Sequence, residues 1–442
     1  MPTGLDIALA PEFLDEGSRE ERAAFGLFTI RANGLALTEG FDFFTRGYRP
    51  GPLVSGYHVA EWLAWNWWRL RWVPQSVSAD WWRAHRMTSI GEGYVWPNLT
   101  IYSDGIRTAL ISRPSSRPDA KPFRYVGAHP SVIPAELFEQ AVDAFIPQVM
   151  GRLRESGIGG SNLDLVWKDV LAERADPDLA KRRRIEALLG RDADEGDDNA
   201  VETLLADAGT LGAQAVDELA ADHPQGGELL TAQALRTIAM HSGFEASLAD
   251  IVRLKAVTGL SRPGDVPAWR VGAVAAKALR DQERLGIDPI ANDLLAKMAG
   301  VPERALTYGR KTAARSGSVI SFALDEGAAK SRVVLRSSWE TSRRFELARL
   351  LGDRILNAGD ARLFPATRSH TYRQKMQRSF AAEFLSPFEA VDAMLDGDYS
   401  EENRQDVAAD FNVSEFTIRT LLVNHRRLER EELEEEEDTA AA

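Results

Sequence analysis

At 442 residues the chain exceeds what one hydrophobic core organises, and its 44% hydrophobic and 27% charged residues exclude a mostly disordered polypeptide. A formal net charge of −13 works against nonspecific attraction of the whole molecule to nucleic acid or anionic lipid, and the lack of cysteine excludes disulfides and thiolate metal sites. No uncharged run of about 18 apolar residues marks a membrane span, and the acidic start (Asp6, Glu12, Asp15, Glu16) does not read as a secretory signal, so a cytoplasmic location is expected.

Residues 24–38, AFGLFTIRANGLALT, place two β-prone runs around Asn33-Gly34, a dipeptide suited to positive φ at both centres of a type I′ turn. A second hairpin is expected at 94–112 around Ser103-Asp104-Gly105, and a buried helix over Tyr57 to Trp72 between the two. Eight of the eleven tryptophans fall between 62 and 96, interleaved with Arg69, Arg71, Arg83 and His85. Rings beside guanidiniums suit stacking on nucleobases or another planar ligand, with Trp65 and Arg69 as candidates. The competing reading is a core or a partner interface, the commoner use of tryptophan at helical spacing.

Helices are expected at 134–157 and 162–190, with Lys181-Arg182-Arg183-Arg184 as a solvated basic face. The Asp- and Gly-rich RDADEGDDNA marks a loop, and further helices are expected at 201–221 and 229–258. SRPGDVP (261–267) is the preferred boundary before the last domain, and the like-charged EREELEEEEDTAAA is read as a disordered acidic tail. The glycines of SGIGGSN (156–162) lack the Lys-Ser/Thr of a phosphate-binding loop, and the seven histidines show no ligand spacing.

Beyond 266, helical patterns at Trp269–Leu285 and after Asp288-Pro289-Ile290 precede two strands, one alternating through Ile320, Phe322 and Leu324, the other at Val333 to Leu335. Then TSRRFELARLLGDRIL (341–356), SFAAEFLSP (379–387) and DVAADFNVSEFTIRTLL follow in order. This frame resembles the ImmA/IrrE family of zinc metallopeptidases, in which Arg-Phe precedes a helix carrying HELGH and FAAELLMP comes later. The resemblance covers roughly 266–428 and none of the first 260 residues.

In that family two histidines four apart bind Zn²⁺ and the adjacent glutamate activates the bound water. Here the corresponding positions are Arg349, Leu350 and Asp353, and the third ligand position falls near Gln374 to Met376, where no carboxylate occurs. Asp353 and His370 remain as stray candidates, fewer than the three protein ligands of a catalytic zinc site. No metal, no cofactor and no catalytic residue is therefore expected. Arg349 and Asp353, spaced i, i+4, read as an ion pair, or Arg349 reads as converting the cleft to a site for an anion or carboxylate-bearing peptide. Val407 to Leu422 resembles a helix-turn-helix with Ser414 as cap, although its second helix offers only Arg419 before Asn424.

The expected fold is α+β and multidomain: a tryptophan-rich mixed domain with antiparallel hairpins (1–133), a helical connector (134–265), a degenerate metallopeptidase-like domain (266–428) and the tail (429–442). The expected function is that of a non-catalytic sensor or scaffold in a bacterial or phage-related stress, defence or mobile-element system, binding a protein or small ligand and no membrane. The alternatives are an enzyme with an unrecognised site in the amino-terminal or middle region, and a nucleic-acid-binding transcriptional regulator.

Overall fold

The computed structural model describes residues 4–116, 122–195, 198–223, 227–255, 264–307, 318–327, 330–357, 359 and 361–429. The fold is mixed α and β with antiparallel sheets. Two compact units divide it, Met1–Val201 and Glu202–Ala442.

In the first unit, strand Phe25–Ala32 pairs with Leu5–Pro11, Leu35–Ala36 and Leu53–Ser55. Its turn carries φ of 52° at Asn33 and 83° at Gly34, the left-handed pair expected from the dipeptide. The second expected hairpin forms between Leu99–Ser103 and Arg107–Ser112, with Pro130–Pro134 added at its edge. A third sheet, without a counterpart among the sequence expectations, joins Gly40–Asp42 to Gly47–Arg49 and to Phe123–Tyr125. The expected helix over Tyr57 to Trp72 is two helices, Gly56–Trp65 and Trp67–Trp72. Between them the Asn66 amide donates to the Trp62 carbonyl at 2.8 Å, a side-chain bond that competes with continuation of the helix. Trp62, Trp67 and Trp96 are buried with Phe28, Phe138 and Phe145 in one core.

Helix Ala135–Glu155 forms as expected, but 162–190 also divides, into Asn162–Ala175 and Pro177–Leu188. Asp176 caps the second by accepting from the amides of Asp178 and Leu179, and Pro177 takes the first helical position, where its missing N–H costs nothing. The basic run is not a solvated face. Arg183 is buried and bonded to Glu173, Glu186 and Asp194, Arg182 pairs with Glu186 and Asp198, and the Arg184 guanidinium lies 4.2 Å from the Trp72 ring.

The 134–265 segment is not a separate connector: its helices through Leu188 belong to the first unit and its later part to the second. Within the helix expected across 229–258, helix Ala232–Ser242 stops before Gly243 and strand Phe244–Ser247 follows. That strand pairs with Lys330–Val334 in a sheet completed by Ser321–Gly327 and Leu363–Ala366. One sheet thus spans the expected boundary, and residues 261–263 of SRPGDVP lie outside the described residues. The acidic run from 430 onward also lies outside them.

Below the sheet, helices Ala268–Glu283, Glu340–Leu356 and Tyr372–Leu385 cross closely. A Cβ on Gly272 would stand 2.3 Å from the Met376 carbonyl oxygen, and one on Gly352 would stand 2.4 Å from the Phe380 ring. Only glycine permits these approaches. The chain closes with Phe388–Leu395, Glu401–Phe411 and Glu415–Asn424, the last capped by Ser414 as expected. No helix among the described residues is long and apolar enough to cross a membrane.

Gly272→Ala should lower the midpoint of thermal unfolding of the second unit by an amount equivalent to about 1–3 kcal/mol, the usual cost of forcing an extra carbon into a packed core. Gly151→Ala, with nothing within 4 Å of the added carbon, should instead leave stability unchanged or raise it. Calorimetry on the two variants checks the pair.

Candidate functional site

Helix Glu340–Leu356 is anchored at its start by two buried cations. Arg343 donates to the carbonyls of Ala305 (2.6 Å) and Ser337 (2.7 Å), and Arg344 to the Ile290 carbonyl (2.7 Å) and the Asn292 side chain. Burial pushes both guanidiniums below their ordinary pKa, and the ring of carbonyl acceptors compensates for the lost water. Thus fixed, the helix presents Arg349 and Asp353 inward, while Leu350 packs into the apolar core.

The expected ion pair between Arg349 and Asp353 is not formed. Asp353, fully buried, accepts two parallel bonds from Arg373 (Nε 2.7 Å, Nη2 2.6 Å) and a third from the Asn357 amide at 2.7 Å. The planar fork of Arg373 matches both carboxylate oxygens at once, a geometry Arg349 does not achieve from one turn earlier on the same helix. For Arg373 burial works downward, but the Asp353 carboxylate outweighs it and holds the cation above its ordinary pKa.

Arg349 turns to neutral acceptors. Its Nη2 donates to the Thr367 carbonyl (2.7 Å) and to Gln374 Oε1 (2.5 Å), with Gln377 Oε1 at 3.4 Å. Gln374 and Gln377 in turn each donate Nε2 to the Pro365 carbonyl at 3.0 Å, and Gln374 Oε1 also accepts from the Thr367 amide. Burial, reinforced by the neighbouring Arg378, lowers the Arg349 pKa to about 9, which leaves it a cation at neutral pH. Arg349 Nε and Arg373 Nη1 are buried without a hydrogen-bond partner.

The cluster also contains a carboxylate that sequence reasoning missed. Glu218, on helix Ala213–Ala221, accepts from the Thr371 hydroxyl at 2.7 Å, with Ser369 Oγ at 3.4 Å. Asp222, just past the same helix, accepts from the Arg368 amide at 2.7 Å. Burial raises the Glu218 pKa to about 7, against the opposing pull of Arg373 and Thr371 and with the help of the Asp353 charge. Nothing in the local pattern of AQAVDELAA separates Glu218 from a surface glutamate, because its partners lie some 150 residues away.

The remaining candidates are dispersed. Met376 packs with Ala268, Val271 and Tyr372, and His370 sits half-buried in the loop before the 372–385 helix. In the first unit Trp65 is 64% exposed, while Arg69 is held by Asn66 Oδ1 and Asp192. Trp72 is already faced by the guanidiniums of Arg71 (4.0 Å) and Arg184 (4.2 Å), so the arginines nearest these rings serve internal contacts. Of the helix-turn-helix candidates, Arg419 is only 5% exposed. Among the described residues no three His, Asp or Glu side chains are placed to hold a metal ion. No protein-family model, curated protein or solved structure matches the chain.

Chemically the cluster can store and exchange a proton at Glu218, and its two guanidiniums disfavour a divalent cation. A carboxyl group whose folded pKa lies above its ordinary value, here about 7 against 4.5, binds protons more tightly in the folded state. Its contribution to stability is full below the ordinary value and is lost as pH rises through about 7. The second unit should therefore be more stable at pH 5.5 than at pH 8, by at most about 2 kcal/mol. Glu218→Gln should flatten that dependence in urea titrations at the two pH values. Arg373→Met, which strands Asp353 in the interior, should cost about 3–5 kcal/mol.

Proposed function

We propose that residues 266–428 are a degenerate ImmA/IrrE-type metallopeptidase-like domain and that the protein is a non-catalytic sensor or scaffold. The observation that carries this reading is the closed network around Arg349, Asp353 and Arg373. In the frame the sequence resembles, Arg349 and Asp353 stand where two histidines would bind zinc, and Leu350 stands where the general base would be. Zinc does not fit these residues: Asp353 spends both oxygens on Arg373, and two guanidiniums face the space a cation would need. The aliphatic side chain of Leu350 cannot take a proton from water, so that position supplies no base for hydrolysis.

The network also changes what the cleft can do. In place of the anion or carboxylate-bearing peptide that was the alternative to the ion pair, Arg349 bonds to the chain's own Thr367 and Gln374, and its side chain is buried. Binding a partner therefore falls to exposed surfaces rather than to the interior of this cluster. The bacterial or phage-related regulatory setting, and a cytoplasmic location, follow from the family resemblance alone. Transcriptional control through the terminal helix pair is less favoured, since the buried Arg419 cannot read a major groove without unpacking its helix.

Elemental analysis of protein purified without chelator, and again after added zinc, should find no stoichiometric transition metal, and casein or peptide libraries should remain uncut. One zinc per chain that is lost in Asp353→Ala would sink the proposal. Arg349→Gln should lower stability without creating metal binding.

A further inference from the structure

The sheet of Gly40–Asp42, Gly47–Arg49 and Phe123–Tyr125 has two unlike faces. Toward the interior it places Asp42, Phe123 and Tyr125, all buried. Alternation along the strands sends Phe41, Tyr48 and Arg124 the other way, and the register sets them in one row, with Phe41 opposite Tyr48 on one side and Arg124 on the other. Phe43 continues this face next to Phe41. Its ring lies 5.2 Å from the Phe41 ring and nearly perpendicular to it, and the Tyr48 ring lies 5.4 Å from Phe41 at a similar angle.

Tyr48 is 69% exposed and Phe44, at the hairpin tip, 85%. The tip is held in shape: Asp42 Oδ1 accepts from the amides of Phe44 (2.8 Å) and Thr45 (3.2 Å), and Arg46 takes φ of 49° in the turn. Exposing several large rings on a fixed hairpin has no folding benefit, because apolar area left in water stabilises nothing. Charge singles out one occupant. Asp42 lies on the inner face and is neutralised by Arg49 at 3.3 Å. Arg46, in the turn beyond Phe44, and Arg124, opposite Phe41 in the register, are both exposed, with Glu39 half-buried and Val126 exposed at the far end.

We propose that this face binds single-stranded nucleic acid, with bases stacked on Phe43, Phe44 and Tyr48 and phosphates at Arg46 and Arg124. Flat rings accept any base by stacking, and fixed cations track the backbone between them, the combination that sequence-tolerant single-strand binders use. The rings are interleaved with cations rather than aliphatic side chains, which favours a polyanion over an apolar protein surface. All of these residues belong to the first unit, and the buried cluster around Asp353 belongs to the second.

Fluorescence anisotropy of the full chain with labelled oligothymidylate and oligouridylate of about 16 nucleotides, at roughly 50 mM salt, tests it. Binding is expected, and Phe44→Ala and Tyr48→Ala should each weaken it about tenfold or more with unchanged circular dichroism. Arg124→Glu should weaken it and reduce the slope of log affinity against log salt by about 0.7. The ratio of the two oligonucleotide affinities distinguishes DNA from RNA as the ligand, and either supports the proposal. No binding, or binding indifferent to all three variants, would overturn it. So would concentration-dependent self-association, abolished by the same variants, in a protein that ignores both oligonucleotides, an outcome that assigns the face to a second copy of the chain.

Discussion

Asp353 and Arg373 are opposite charges removed from water together, and neither could stay buried without the other. Desolvating each ion alone costs several kcal/mol, and the two parallel bonds at 2.7 and 2.6 Å offset that cost only while both helices hold their positions. The pair therefore fixes helix Glu340–Leu356 against Tyr372–Leu385. Once they are fixed, the close contact of Gly352 with Phe380 becomes possible and the sheet above has a floor. Gln374, Gln377 and Thr371, on or capping the second helix, then meet the Pro365 carbonyl, Arg349 and Glu218, and the cluster closes.

Arginine does similar work across the chain. Arg280 donates to the carbonyls of Gly286, Asp288 and Phe384, Arg354 pairs with Asp325 through two bonds, and Arg174 grips Asp143 in the same way. A guanidinium can satisfy several acceptors in one plane, so it suits the irregular ends of helices where carbonyls lack partners. Much of the cationic side chain that composition counts as surface charge is thereby spent indoors. Arg46 and Arg124 are exceptions, since their guanidiniums stay in solvent.

What the sequence made legible was local. Asn33-Gly34 announced its turn because positive φ at two successive positions has a narrow residue preference, and Ser414 announced its cap for a comparable reason. Alternation at Ile320, Phe322 and Leu324 placed a strand because one period suffices to see it. Breaks escaped where a side chain overrode the helical pattern, as Asn66 does and as Asp176-Pro177 does. Strand Phe244–Ser247 escaped because it is short and its partner lies far along the chain. At the candidate site Arg349, Leu350 and Asp353 drew notice only through a resemblance to a motif from which they differ. Their partners were not: Arg373 is one arginine among many, and Glu218 becomes special only when burial removes its water.

Strand Phe244–Ser247 and helix Ala213–Ala221 both precede residue 266, yet the sheet and the buried cluster need them. The compact unit they belong to is therefore longer than the segment in which the motifs of the sequence lie. Recombination that transplanted residues 266–428 alone would deliver a sheet with a bare edge and a cluster open to water on the side Glu218 covers. The compact unit that holds these contacts begins some sixty residues before residue 266, and helix Asp198–Leu211 runs across its start.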